Sequence, residues 1–251
     1  MSRPAQEVVP TVDGHGAQVQ GMFSRISHGY DRANRWMSLG TDRRWRTRAV
    51  AEMLPRDVGP EPRILDLCAG TLDSTLEIHR QHPTARVVGG DFSAGMLAEG
   101  RRKLTGNAAE HIQALEMDAH QIPLDDGWAD AIFCAFGVRN LSDLPRATRE
   151  QARVLRPGGV LTVLEFFRPQ GLVTRAVHGL YNRTVLPLVG WAATGDLSAY
   201  LYLPRSIGAF ARVEDYRALL EASGFEQVQV TPLTLGMAWI VRARRTEGAT
   251  P

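Results

Sequence analysis

Between Arg63 and Phe167 the chain alternates short apolar runs with amphipathic stretches, and this rhythm limits the fold more than any other feature. Arg63-Ile-Leu-Asp-Leu-Cys68, bounded by Pro62 and Ala69-Gly70, reads as a buried strand. The spacing predicts a helix over Asp73 to Gln81, a second strand over Arg86 to Asp91 and a helix over Ala94 to Leu104. A third strand follows over Ile112 to Met117 and a fourth over Ala129 to Phe136. A helix over Asp143 to Leu155 is closed by Arg156-Pro-Gly-Gly159, ahead of a fifth strand over Val160 to Phe167. Parallel strands need long crossovers, so this alternation implies βαβ units and an α/β fold with a mostly parallel sheet. The chain then changes character. Gly171 to Phe210 interrupts the rhythm, and Glu214 to Ser223 reads as a helix stopped by Gly224. Phe225 to Thr231 and Ala238 to Arg244 form two strands too close together to be parallel.

A chain of 251 residues with ordinary apolar content can bury a full core in one domain. Residues 1–20 lack periodicity and read as a mobile tail, leaving 21–251 as a single domain. Within it, 22–56 forms an N-terminal helical cap broken near Ser38-Leu39-Gly40-Thr41, and 168–212 forms an insertion. The tail has no continuous apolar core, so no secretory signal is expected. The run from Thr184 to Ala193 contains Pro187 and Gly190 and is about half the ~20 residues of a membrane span. A cytoplasmic protein is expected. Cys68 and Cys134 alone cannot make a disulfide scaffold or a structural zinc site, and no metal is expected. A net charge of +2 argues against a dedicated nucleic-acid binder. Lys103 is the only lysine, so any chemistry that needs an amine rests on it.

The turn after the first strand, Asp66-Leu-Cys-Ala-Gly-Thr71, carries a glycine where a backbone can approach a ligand at a helix N-terminus. It lacks the G-x-G-x-x-G of a dinucleotide site, which disfavours a nicotinamide oxidoreductase. Asp91 ends the second strand, where a carboxylate can accept both ribose hydroxyls of a nucleoside. Met117-Asp-Ala119 ends the third, where a side chain and backbone can meet an adenine. Each position has a purely structural alternative. Gly70 can be a simple turn, Asp91 an N-cap for the helix near Ala94, and Asp118 a solvated turn residue. Taken in order, with the closing antiparallel pair, the pattern resembles the class I methyltransferases that bind S-adenosylmethionine.

Several segments are more specific. Phe23-Ser-Arg-Ile-Ser-His-Gly-Tyr-Asp-Arg-Ala-Asn34, Met37-Ser-Leu-Gly40 and Arg44-Trp45 resemble the opening of the ubiquinone/menaquinone biosynthesis C-methyltransferases. Ala135-Phe-Gly-Val-Arg-Asn140, Val163-Leu-Glu-Phe166 and Tyr200-Leu-Tyr-Leu-Pro-Arg-Ser-Ile207 fit the same family. The resemblance runs from about Met22 to Arg245. It implies a Rossmann-like class I methyltransferase fold, a seven-stranded, mostly parallel sheet with one antiparallel strand. It implies S-adenosyl-L-methionine as cofactor, contacted by Thr71, Asp91, Asp118 and Ala119. Asp66 and Gly70 would shape the pocket for the methionine end, and Phe92 and Met96 would pack near the nucleoside. Leu72 stands where the family has a glycine, Ala135 where it has a serine, and Asp118 where it has an asparagine.

The family's acceptor is a ring carbon of a prenylated quinol, so menaquinone and ubiquinone precursors are the expected substrates. The catalytic candidates are Arg139, Asn140 and Tyr30, drawn from a set that also holds Asp31, Asn34 and His28. Arg139 and Asn140 would hold the ring oxygen and a water, with Tyr30 completing the hydrogen bonds. An arginine is too basic to act as the base, so its role would be to stabilise a phenolate. Arg139 can instead pair with Asp143. His28 suits a base by its pKa class, or is a surface loop residue. The insertion would cover the acceptor, with Tyr181, Val185, Leu186, Leu188, Val189 and Trp191 lining a channel for the prenyl tail or simply packing on the sheet. The Arg32, Arg35, Arg43, Arg44, Arg46 and Arg48 cluster can touch anionic lipid at the inner face of the membrane, or form a solvated helix face. A homodimer is compatible with the chain. The competing readings are a methyltransferase of another small phenolic or secondary-metabolite acceptor, and a non-catalytic nucleoside-binding subunit.

Overall fold

The computed structural model describes residues 40–169 and 197–248, together with Gly21, Ser24, Arg25, Asp31, Arg35, Ser38, Gly171 and Gly179. The tail over 1–20, His28, Tyr30, Arg32, Asn34 and the proposed channel residues Tyr181, Val185, Leu186, Leu188, Val189 and Trp191 lie outside the described residues.

In chain order the elements are α1 (Thr41–Ala51), β1 (Arg63–Leu67), α2 (Asp73–Gln81), β2 (Arg86–Asp91), α3 (Ala94–Arg101), α4 (Asn107–His111), β3 (Ile112–Glu116) and β4 (Ala129–Ala135). A short 3-10 turn (Val138–Asn140) leads to α5 (Leu144–Val154) and β5 (Leu155–Glu165). After these come α6 (Leu197–Ala209), α7 (Val213–Ala222), β6 (Phe225–Leu233) and β7 (Ala238–Arg245). The seven strands form one sheet in the order β3-β2-β1-β4-β5-β7-β6. Strands β1 to β5 run parallel, and β7 is antiparallel to both β5 and β6. The expected single antiparallel strand is therefore β7. The order reverses between β1 and β4, the point where an open α/β sheet leaves a crevice at its carboxyl edge.

Helices cover both faces, which explains why the strands are apolar almost throughout. Successive strand residues point to opposite faces. Leu65, Leu67, Ile132 and Cys134 join a cluster with Ala147 and Val154 of α5 and Tyr216 and Leu220 of α7. Ile64, Ala131 and Phe133 face the other way, onto Trp45, Ala49 and Val50 of α1 and Ile78 of α2. The break expected near Ser38–Thr41 falls at Gly40, which precedes α1 with φ 75°.

Three departures from the sequence reading have physical causes. The Arg156-Pro-Gly-Gly159 link lies within β5, whose pairing jumps from Ala129–Leu155 to Ala131–Val160 across a bulge with Gly158 at φ 73°. Strand β6 continues past Thr231 through Pro232, which an edge strand tolerates because one side of its backbone is unpaired. Helix α4 has no buried residue, so it leaves no apolar period in the sequence. Among the described residues no helix is long and apolar enough to cross a membrane.

Candidate active site

The turn after β1 is built on left-handed backbone. Cys68, Gly70 and Leu72 all have positive φ (59°, 54° and 65°), and Phe136 at the end of the neighbouring β4 has φ 58°. Non-glycine residues in this region each cost about 1–3 kcal/mol, and such strain gathers where function requires an unusual chain path. Three of them at the adjoining carboxyl ends of β1 and β4 mark that edge. A Cβ on Gly70 would lie 3.3 Å from Met96 Cε, so the buried Met96 packs directly on the turn.

Leu72, the residue in place of the family's glycine, keeps the left-handed backbone a glycine would adopt freely. Its side chain is fully buried beside Ala69 and Leu97. It fills a slot that exists because Gly89 and Gly100 have no side chains: Cβ atoms there would come within 2.7 Å and 2.5 Å of it. Leu72→Gly should relieve ~1–2 kcal/mol of backbone strain but lose the ~3–5 kcal/mol of a buried leucine. The expected net is a destabilisation of about 2–3 kcal/mol, read from the urea midpoint.

Asp91, at the end of β2, ties the edge together. Its Oδ2 accepts the Gly70 N–H at 2.8 Å and its Oδ1 the Ser93 N–H at 2.9 Å. It is not the N-cap of α3; Ser93 is, accepting from the Met96 N–H. Burial pushes the Asp91 carboxyl up to about 6, against the pull of the Ser93, Gly70 and Phe92 backbone N–H groups. Phe92 follows it, half-buried. Asp66 is fully enclosed between β1 and α2. One oxygen accepts from Thr75 Oγ1 at 2.6 Å, and Oδ1 has no partner among the described residues. Burial, with Asp91 nearby, raises it to about 7. Two desolvated carboxyls flank one turn, an arrangement that would suit a cationic, donor-rich nucleoside bound against it. That describes S-adenosylmethionine, whose sulfonium and ammonium are both cationic.

Beyond β3, Asp118 Oδ1 accepts from the backbone N–H of His120 at 2.9 Å and meets its Nδ1 at 2.6 Å. His120 Nε2 accepts from the Asp143 N–H, so the network assigns the imidazole proton to Nδ1. Ala119 is buried in the core beside this turn. Thr71 is buried, and its hydroxyl donates to Asp31 at 2.5 Å.

On the β4–β5 side, Arg139 does not pair with Asp143. Asp143 caps α5 by accepting the Arg146 N–H, and Arg139 Nη1 lies 2.7 Å from Glu165 Oε1. The same guanidinium donates to the Phe136 carbonyl at 2.6 Å. Glu165 is buried and also accepts the Phe166 and Arg139 backbone N–H groups. Burial pushes its carboxyl up while Arg139 pulls it down. Next to this pair, Asn140 Oδ1 accepts from the Tyr202 hydroxyl at 2.9 Å. Burial raises the Tyr202 phenol, so it remains a donor. Phe136 and Phe166 stack at 4.7 Å, with Trp45 edge-on to Phe166 at 6.0 Å, giving this end of the site an aromatic wall.

Glu165 and Tyr202 lay within the segments that carry the resemblance but had no role assigned from the sequence, whereas Asp31, one of the catalytic candidates, is placed against Thr71 and Lys103. For Glu165 a signal was available: a carboxylate ending an otherwise apolar strand implies a buried partner. Among the described residues no cluster of His, Cys, Asp and Glu could hold a metal ion.

The family model described as the ubiE/COQ5 methyltransferase family matches residues 11–245. A demethylmenaquinone methyltransferase of Thermus thermophilus is 44% identical over 219 residues, covering 87% of this chain and 97% of that one. A ubiquinone/menaquinone biosynthesis C-methyltransferase UbiE of Geobacter sulfurreducens is 38% identical, covering 90% of this chain and 87% of that one. Among solved structures, an S-adenosylmethionine-dependent methyltransferase from Thermotoga maritima superposes with a TM-score of 0.58 at 19% identity, over 90% of this chain and 99% of that one. The cyclase SpnF superposes with 0.69, also at 19% identity, over 96% of this chain and 99% of that one, so the fold by itself does not dictate the reaction. With its sheet order and these relatives, the chain belongs to the ubiE/COQ5 family of S-adenosylmethionine-dependent methyltransferases.

Proposed function

We propose that the protein methylates a ring carbon of a prenylated quinol, of the demethylmenaquinol or ubiquinone-precursor class. The observation that supports this most is the paired polar cluster beside an aromatic wall: Arg139 held by Glu165, Asn140 held by Tyr202, and Phe136 stacked on Phe166. A flat hydroquinone needs both features, a surface for its ring and donors for its oxygens. The names of the relatives point to the same acceptor class.

The cofactor supplies an electrophilic methyl on a cationic sulfur. Asp91 would accept from the ribose hydroxyls, and Asp118 with the Ala119 backbone would meet the adenine. Thr71 would contact the cofactor, Gly70 and Asp66 would shape the methionine end, and Phe92 and Met96 would pack against the nucleoside. Displacement at a methyl carbon asks the protein mainly to align the reactants and exclude water. Arg139 and Asn140 would hold the ring oxygen that donates electron density to the attacking carbon, with Tyr30 completing the set. Because Glu165 already balances the Arg139 charge, the ring oxygen would be held by directed hydrogen bonds rather than by an unpaired cation. The insertion over 168–212 and the cap over 22–56 would cover the acceptor.

Incubation with methyl-labelled S-adenosylmethionine and a panel of prenylated hydroquinones, free phenols and amines tests this reading. The expected product is a prenylated quinol with the label on ring carbon. Label only on free phenols, or only on oxygen or nitrogen, would refute it.

The raised carboxyls make a pH prediction. Asp66 and Asp91 hold protons to about 7 and about 6 in the free protein. Below the unfolded carboxylate value of ~4 their contribution to stability is fully present, and it is lost as pH rises through those folded values. A cationic cofactor favours the ionised forms, so binding should expel protons near pH 6. Affinity should fall on the order of tenfold per pH unit below that point. Calorimetry in two buffers of different ionisation enthalpy reads the proton release directly.

We also propose contact with an anionic membrane surface, where a prenylated acceptor resides. Arg35, Arg43, Arg44 and Arg48 are exposed and support it. Arg46 does not, because it is turned inward onto Ser74 Oγ at 3.0 Å and onto Asp42. Sedimentation with acidic vesicles at low salt reads this, and absence of binding would remove it.

A further inference from the structure

Lys103, the only lysine, follows α3 and bridges two carboxylates from distant parts of the chain. Its ammonium contacts Asp73 Oδ1 at 2.7 Å, in the first turn of α2, and it is also paired with Asp31 of the N-terminal segment. The other oxygen of Asp31 accepts the Thr71 hydroxyl at 2.5 Å. The same segment touches the neighbouring strand end through Ser24 Oγ, 3.0 Å from Ser93 Oγ. Ser93 caps α3, two residues after Asp91. Asp31 is thus held beside the turn after β1, and Ser24 beside the end of β2.

We propose that Lys103 is a positioning residue for the cofactor: it latches Asp31 against the turn after β1. This inference rests on the cofactor placement given above. By holding Asp31, it fixes the Thr71 hydroxyl as a donor to that carboxylate and leaves the hydroxyl lone pairs to accept from the ligand. Lys103 itself touches Asp31 and Asp73, not the reacting atoms. An isolated, partly exposed ion pair contributes little, but Lys103 joins Asp31 to Asp73 while Asp31 also accepts from Thr71, and such a network tightens together. Its loss should act mainly on how fast the cofactor leaves.

Lys103→Met keeps much of the stem and removes the charge. In the full chain it should weaken S-adenosylmethionine binding roughly three- to tenfold, chiefly through a faster off-rate. The change should appear in KM for the cofactor rather than in kcat. Lys103→Arg should recover most of the affinity. Asp31→Asn should reproduce the loss, and the double variant should lose no more than either single one, because all act through one network. A merely structural role would move the urea midpoint and leave the off-rate at saturating folded fraction unchanged. Wild-type dissociation constant and off-rate in Lys103→Met, tighter binding, or additive losses in the double variant would each overturn the latch. A wild-type protein that fails to bind the cofactor would overturn the cofactor placement as well.

Discussion

Glu165→Ala is expected to lower stability by about 3–5 kcal/mol, because it leaves an arginine charge buried with its main partner gone. Arg139 cannot shed its proton. Its side chain is 5% exposed and that of Glu165 is not exposed at all, so water cannot readily replace the carboxylate. The substitution also strips an acceptor from the Phe166 and Arg139 backbone N–H groups. In a protein of this size the midpoint of thermal unfolding should fall by roughly 6–20 °C. Glu165→Gln keeps the shape and an acceptor oxygen and should lose markedly less. Methyl transfer should fall more steeply than stability accounts for at temperatures where the variant is folded, since Arg139 would no longer be held between Glu165 and the Phe136 carbonyl. Thermal unfolding together with a transfer assay at low temperature separates the two effects. A stable, fully active Glu165→Ala protein would show that the pair does not organise the acceptor end.

Asp91→Ala is expected to weaken S-adenosylmethionine binding by about a hundredfold or more. Two hydrogen bonds from ribose hydroxyls to a carboxylate contribute roughly 1.5–3 kcal/mol each, and each 1.4 kcal/mol is tenfold. The turn would also suffer, since the Gly70 and Ser93 N–H groups both donate to this side chain. Stability should change less than affinity, because the folded protein already holds Asp91 as a desolvated acid with a raised pKa. Calorimetric titration measures the affinity, and a urea series measures the stability. An Asp91→Ala variant with wild-type affinity would move the ribose elsewhere.

Much of the scaffold could be read from residue order, for reasons the structure makes plain. Strand β2 and helix α2 have the boundaries their apolar spacing implies, because both bury one clear face or both faces of a short run. The closing antiparallel pair follows from the short link between the two apolar runs, Thr234–Met237 in the structure, which is too short for a crossover. Helix α4 was not legible because nothing on it is buried, and the Gly158 bulge was not because a Pro-Gly-Gly run resembles a plain loop. Helix α6 contains Pro204, which argues against a helix locally while the surrounding packing tolerates one. The carboxylates Asp66 and Asp91 stood out in the sequence because each interrupts or ends an apolar strand, and the structure buries both beside the turn after β1. The partners of Arg139 and Asn140 were not. Glu165 lies 26 residues from Arg139 and Tyr202 lies 62 from Asn140, and only the sheet and α6 bring them together. Leu72 stands where the family has a glycine, and Gly89 and Gly100 provide the room that its side chain occupies.

Hydrogen–deuterium exchange with and without S-adenosylmethionine tests most directly where the cofactor lies. The account predicts protection in peptides spanning Gly70 to Ser74, Asp91 to Met96 and Asp118 to Gln121, with little change along β6. Saturating cofactor that leaves those three segments unprotected, or that protects the β6–β7 edge instead, would contradict it.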